Sequence, residues 1–179
     1  TSDAVLLLAN GASGISCARG EARASFEAAL NHLTRELAKQ VVQDGEGVSK
    51  LVSIRVSGAQ KIVDAHRVAN TIATSPLVKT MFAGSDPNWG RIMAAAGRAG
   101  VRFDPQRTNL WIANNNQRQY LQLVERGEPC DYNENEAVQI FLSADFEIHL
   151  DLGCGQKETT VWTGDLTHEY VSINTDYRT

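Results

Sequence analysis

Apolar positions along the 179-residue chain switch between two spacings, and the switches predict alternating helices and strands. Residues 4–9 form an unbroken apolar run that ends at Asn10-Gly11, which reads as a buried strand entering a turn. Phe26, Ala29, Leu30, Leu33, Leu37 and Val41 recur at helical spacing between charged and amide side chains, so residues 25–43 predict a helix, stopped at Asp44-Gly45. Residues 51–56 alternate, with Val52, Ile54 and Val56 on one side and Ser53 and Arg55 on the other, as in a half-buried strand. Helical spacing returns over residues 60–74 through Ile62, Val63, Val68, Ala69 and Ile72, and Ser75-Pro76 breaks it. Asp86-Pro87 predicts a helix start, with Asp86 as N-cap and Pro87 in the first helical position, continuing through residues 91–98. Segments 110–112 and 120–124 flank three asparagines as a hairpin. Asn133-Glu134-Asn135-Glu136 has the form of a capping box opening a helix that runs to about Ser143. Phe146, Ile148, Leu150 and Leu152 alternate with Glu147, His149 and Asp151 in a further strand, with residues 158–163 as its expected hairpin partner.

Helices and strands interleave, yet several strands are joined by hairpins. The expected fold class is therefore α/β (α+β): a mixed sheet with helices packed on it, in a single domain over residues 1–179. Composition narrows the function classes. Apolar residues make up 42% of the chain, enough to offset chain entropy, so disorder is excluded as the main state. The longest apolar run is far short of the roughly 20 residues a spanning helix needs, so no membrane partner is expected. A net charge of −4 with no basic stripe argues against nucleic acid. Cys17, Cys130 and Cys154 are odd in number and lack C-x-x-C spacing, which disfavours disulfides and zinc and suits a reducing, cytoplasmic compartment. His32, His66, His149 and His168 show no metal-binding spacing, so no metal is expected.

Four stretches carry candidate chemistry. Asn10-Gly11-Ala12-Ser13-Gly14 follows a predicted strand but lacks the spacing of a phosphate loop, and reads as a strand exit. In Asp44-Gly45-Glu46-Gly47, two glycines flank a carboxylate between a helix and a strand. Such a loop can aim Glu46 into a cleft, or can be a plain helix stop with an exposed acid. Residues 84–91 combine a helix start with Trp89 and Arg91, either an anion site or a structural cap with an aromatic anchor. The last ten residues carry Tyr170, Val171, Ile173 and Tyr177, too apolar for a frayed end. Docking of that segment, with Ile173 buried, would bring Asn174 and the Thr179 carboxylate against the body of the protein, where they need partners.

Asp44-Gly-Glu-Gly-Val-Ser-Lys-Leu51, Ser75-Pro-Leu-Val-Lys-Thr80, Asp86-Pro-Asn-Trp-Gly-Arg91 and the ending from Asp165 to Thr179 together resemble the ornithine acetyltransferase (glutamate N-acetyltransferase) family of arginine biosynthesis. The motifs run in the family's order and span nearly the whole chain. The resemblance implies a precursor that cleaves itself before a Thr into an α-chain and a β-chain. That Thr takes the acetyl group of N2-acetylornithine as an acyl-enzyme, releases ornithine and passes the acetyl group to glutamate. It further implies a pairing of α- and β-chains, an α2β2 assembly, no cofactor, and acetyl-CoA as a possible further acetyl donor. The residues after Thr1 differ from those that follow the family's nucleophile. The chain is therefore expected to be the C-terminal portion of a β-chain that lacks the catalytic Thr, and Thr1 is the alternative nucleophile. Carried over by position, Glu46, Asn174 and Thr179 are the substrate-binding candidates, with Glu46 suited to an ammonium group and Asn174 to a donor or an acceptor. Two other readings stay open: an amino-acid-binding α/β domain without chemistry, and a related self-cleaving hydrolase that passes the acyl group to water.

Overall fold

The computed structural model describes residues 4–115 and 119–176, which form two compact units that meet at Val41-Val42. Thr1 and Thr179 lie outside the described residues. In the first unit, residues 4–10 do not form the expected strand. Val5, Leu6, Leu7 and Leu8 are all more than 60% exposed, and no strand pairs with them. An apolar run makes a strand only where a neighbour can take up its backbone groups, and this unit supplies none. Asn10-Gly11 does turn the chain: Asn10 Oδ1 accepts from the Ala12 N–H and the Gly11 carbonyl accepts from the Gly14 N–H. Helix α1, Gly20–Gln43, confirms the helical spacing and starts five residues early. None of its residues is buried, so it rests on intrinsic propensity and on local pairs such as Arg23–Glu27 (2.7 Å).

The second unit is built on a six-stranded mixed sheet, with α2 (Ile62–Ala73), α3 (Pro76–Ala83), α4 (Trp89–Gly97) and α5 (Glu134–Leu142) packed on it. Its strands are β1 (Leu51–Ala59), β2 (Asn109–Asn114), β3 (Tyr120–Glu125), β4 (Glu128–Pro129), β5 (Asp145–Asp151) and β6 (Lys157–Gly164), in the order β4-β3-β2-β5-β1-β6. β1 and β5 run parallel, with Ile54 opposite Ile148, and every other pairing is antiparallel. Val52, Ile54 and Val56 of β1 meet Phe146, Ile148 and Leu150 of β5 and the apolar faces of α2–α5 in one core. At its centre Phe82, Phe141 and Phe146 touch, with Phe146 4.9 Å from Phe141 and edge-on to Phe82 at 5.6 Å between ring centres.

The hairpin of β2 and β3 and the helix opened by Asn133 form as expected, and Asn133 Oδ1 accepts from the Asn135 and Glu136 N–H groups. Other expectations are corrected. β1 is a central strand rather than a half-buried one, with Leu51, Val52, Ser53 and Ile54 all buried. β6 is not the hairpin partner of β5 but pairs with the far side of β1. The intervening chain crosses the end of β1, where Leu152 N–H donates to Ser57 O (3.0 Å) and Cys154 N–H to Gly58 O (2.8 Å). Ser75-Pro76 ends α2 but also opens α3, because a proline at the first helical position gives up no intrahelical bond. The cap of α4 is Asn88, whose Oδ1 accepts from Arg91 N–H, and not Asp86. Ser85 takes a positive φ of 52° and Asp86 N–H bonds back to Met81 O, so the chain is still turning where the sequence suggested a helix start. The final helix α6, His168–Asp176, has no buried residue. Ile173 is half-buried, not buried, and Tyr170 and Val171 are exposed, so α6 lies at the surface instead of docking through an apolar face.

Candidate functional site

The loop between α1 and β1 places Glu46. Gly45 N–H bonds to Val42 O and ends the helix, and Gly47 turns the chain back at φ 68°. A Cβ on Gly47 would stand 2.5 Å from the Tyr170 backbone nitrogen, so the loop rests directly on the first turns of α6. Thr167 Oγ1 donates to Gly47 O at 2.7 Å. Just before α6, the buried Asp165 receives three hydrogen bonds, from Ser49 N–H (2.8 Å), Ser49 Oγ (2.5 Å) and Lys50 N–H (3.1 Å). Leu166 N–H donates to Lys79 O (3.1 Å) and ties the same segment to α3.

This clamp brings Glu46 and Asn174 together across 128 positions of sequence: Asn174 Nδ2 donates to Glu46 Oε2 at 2.8 Å and to Tyr170 O at 2.8 Å. Both side chains are exposed. Both amide protons of Asn174 are thus engaged, while its Oδ1 and the second oxygen of Glu46 remain open acceptors among the described residues. Two acceptors side by side, one of them anionic, suit an ammonium group. The third candidate, Thr179, lies outside the described residues. Beside the pair, a groove of about 450 Å³ opens between the end of α3 and the start of α6, lined by Thr80, Gly84, Leu166, Thr167, His168 and Val171. It shares α6 with the pair, but neither Glu46 nor Asn174 lines it.

Two lysines sit near the clamp. Lys50 is buried, and its ammonium donates to Phe82 O (2.7 Å), Ser85 Oγ (2.6 Å) and Phe141 O (2.8 Å). Burial pushes both Lys50 and Lys79 below the usual lysine range, and the Asp165 carboxylate opposes that drop. Sequence reasoning passed over Asp165 and Lys50 as working residues, because a lone acid at a strand end and a lone lysine carry no local signal of burial.

Another polar group stands on the strands: Ser57 Oγ lies 2.8 Å from His149 Nε2 and 3.2 Å from Asp151 Oδ1. It holds the residue types of a nucleophilic triad but not the geometry. Asp151 accepts the hydrogen bond of the Ser57 hydroxyl, which leaves His149 Nε2 as a donor, and among the described residues no acid bonds to the other ring nitrogen. His149 instead stacks on Trp111 with ring centres 5.2 Å apart. Among the described residues, no three His, Cys, Asp or Glu side chains are grouped to hold a metal ion, and no helix is long and apolar enough to cross a membrane.

Fold and site thus define a mixed α/β unit with an exposed carboxylate–amide pair suited to a small amino-bearing molecule. The ArgJ family matches residues 1–179, and the chain belongs to that family. It is 43% identical over 185 residues to the arginine biosynthesis bifunctional protein ArgJ of Agrobacterium fabrum, covering 99% of this chain and 43% of that protein. It is 45% identical over 179 residues to the protein of the same name from Ruegeria pomeroyi, covering 99% and 42%. The mitochondrial ArgJ of Heterostelium pallidum is 38% identical over 193 residues, covering 100% and 44%. The crystal structure of the Bacillus halodurans arginine biosynthesis bifunctional protein superposes with a TM-score of 0.86 at 32% identity, covering 98% of this chain and 84% of that one. The chain spans less than half the length of these curated relatives.

Proposed function

We propose that this chain forms the amino-acid-binding portion of an acetyltransferase in arginine biosynthesis, moving an acetyl group from N2-acetylornithine to glutamate. A threonine hydroxyl attacks the acetamide carbonyl, the C–N bond breaks, and ornithine leaves with the proton. The α-amino group of glutamate then attacks the resulting ester and restores the hydroxyl. The nucleophile belongs outside the described residues, either upstream of this chain or, as the alternative, at Thr1. Glu46 pairs with a substrate ammonium or takes up the proton of the incoming amine, and the Asn174 Oδ1 accepts beside it. Thr179 completes the substrate contacts. The partner is the α-chain of the same precursor, in an α2β2 assembly, with no cofactor and with acetyl-CoA as a further donor for direct N-acetylglutamate synthesis. The reaction runs in the cytoplasm or, as the name of the Heterostelium relative suggests, in mitochondria.

The observation that carries this reading is the 2.8 Å bond joining Glu46 to Asn174, with two acceptor oxygens left open. In the intact enzyme, Glu46→Gln should lower acetyl transfer by about tenfold or more, since one charged contact is worth roughly 1.5–3 kcal/mol, with unfolding unchanged. Unaltered kinetics with both amino-acid substrates would reject the assignment. Release of free acetate in place of N-acetylglutamate would favour the hydrolase.

A further inference from the structure

We infer that the exposed apolar surface of the first unit is where the α-chain of the same protein docks, adding strands beside residues 4–9 and covering one stripe of α1; this rests on the proposed pairing of α- and β-chains and not on the chemistry of acetyl transfer. No residue from 4 to 41 is buried. Residues 4–9 are apolar throughout, and Leu6 and Leu8 are 84% and 93% exposed. In a strand, Val5, Leu7 and Ala9 face one way and Leu6 and Leu8 the other, so both faces of this run are apolar. Such a strand belongs inside a sheet that is covered on both sides. No charge or proline interrupts the run, although a strand left at a free edge needs one to block pairing.

The helix repeats the pattern. Phe26, Leu30, Leu33, Leu37 and Val41 follow one another at steps of four, three, four and four residues, which places them in one stripe along α1. Phe26, Leu33 and Val41 are exposed. A groove of about 720 Å³, lined by Leu8, Ile15, Cys17 and Phe26 among others, joins the run to the helix, so the two apolar surfaces adjoin. A unit of this size, Thr1–Val41, is too small to bury a core by itself. Its cover has to supply two things at once: strands that satisfy the backbone groups of residues 4–9, and an apolar surface for α1. A lipid surface offers no backbone partner. A second copy of this chain brings the same bare run, and two such runs make only a two-stranded ribbon with its apolar faces still open. The curated relatives carry more than half of their length outside the span that this chain matches, enough for a domain with its own sheet.

The test uses the full-length protein, with hydrogen exchange and with photo-leucine in place of leucine. The amides of residues 5–8 are expected to exchange about 100-fold or more slower than an unstructured chain. Light-activated photo-leucine at positions 6, 7, 8 and 33 should form adducts with peptides from outside residues 1–179. Leu7→Asp should remove the protection, and Ile62→Asp, at an exposed position of the second unit, should leave it intact. Unprotected amides at residues 5–8 in the wild type would overturn the inference. So would adducts confined to residues 1–179, and adducts that join two copies would assign the surface to self-association instead. Gel filtration separates the two ways to fail: portions that elute together while residues 5–8 stay unprotected leave the chain pairing intact and refute this surface, and portions that elute apart refute both.

Discussion

Replacing Asp165 by Asn should loosen the clamp that carries the Glu46–Asn174 pair. Asp165 is 3% exposed and accepts from Ser49 N–H, Ser49 Oγ and Lys50 N–H. An amide keeps one acceptor oxygen and loses the other together with the charge. Hydrogen bonds to a charged acceptor are worth roughly 1.5–3 kcal/mol, so Asp165→Asn should cost about 2–3 kcal/mol. The carboxylate also offsets the desolvation of Lys50 and Lys79, and its removal leaves the buried Lys50 and the half-buried Lys79 without that help. For a chain of this length, such a loss lowers the unfolding temperature by about 4–12 °C, measurable by calorimetry. Hydrogen exchange gives a local readout, because the Ser49 and Lys50 amides bond directly to Asp165 and should exchange faster in the variant. An unfolding temperature within about 1 °C of wild type, with exchange unchanged at both amides, would show that the carboxylate does not hold this junction.

Gly47→Ala should cost more than about 1 kcal/mol, because a left-handed backbone and a Cβ driven against the Tyr170 nitrogen add together, and it should lower acetyl transfer by shifting α6 away from Glu46. Denaturant midpoints and turnover measured on one preparation test this, and a variant unchanged in both would contradict the geometry. The third prediction concerns pH. His149 is pushed below its ordinary 6.5, first by burial and then by the Arg55 guanidinium, against the opposing pull of Glu147, Asp151 and Glu158. The unfolded chain therefore binds the proton more readily than the folded one. Stability is fully present above about pH 6.5 and falls as pH drops through the lower folded value. Urea midpoints from about pH 7.5 to about pH 5.5 should show this slope, and His149→Gln should flatten it; an equal slope in the variant would assign the effect elsewhere.

What the sequence disclosed follows from where each signal lives. Period-two alternation at Phe146, Ile148 and Leu150 is a local property, and the structure returns it residue for residue in β5. Strand partnership is not local. A short link between residues 151 and 157 looks like a hairpin on paper, yet β1 lies between the two strands. The burial of Leu51, Val52, Ser53 and Ile54 on both faces marks β1 as a central strand that needs two neighbours, and β5 and β6 are those neighbours. Capping shows the same ambiguity: Asp86 and Asn88 both have the chemistry of an N-cap, and only the back-bond of Asp86 to Met81 decides for Asn88. The loop glycines and the apolar last residues draw attention to Glu46 and Asn174 separately, and only the family resemblance joins them in one role, since no spacing links residues 128 positions apart. What holds them together, Asp165 and Gly47, is invisible to periodicity because each acts through contacts with segments more than a hundred positions away. A glycine whose absent Cβ makes room for a helix, and an acid whose charge is spent on two amides and a hydroxyl, look like any loop residues until the chain is folded. The expected burial of Ile173 failed for a related reason. That expectation rests on apolar content, whereas α6 is held by polar bonds at its N-terminal end and leaves its apolar residues near the surface.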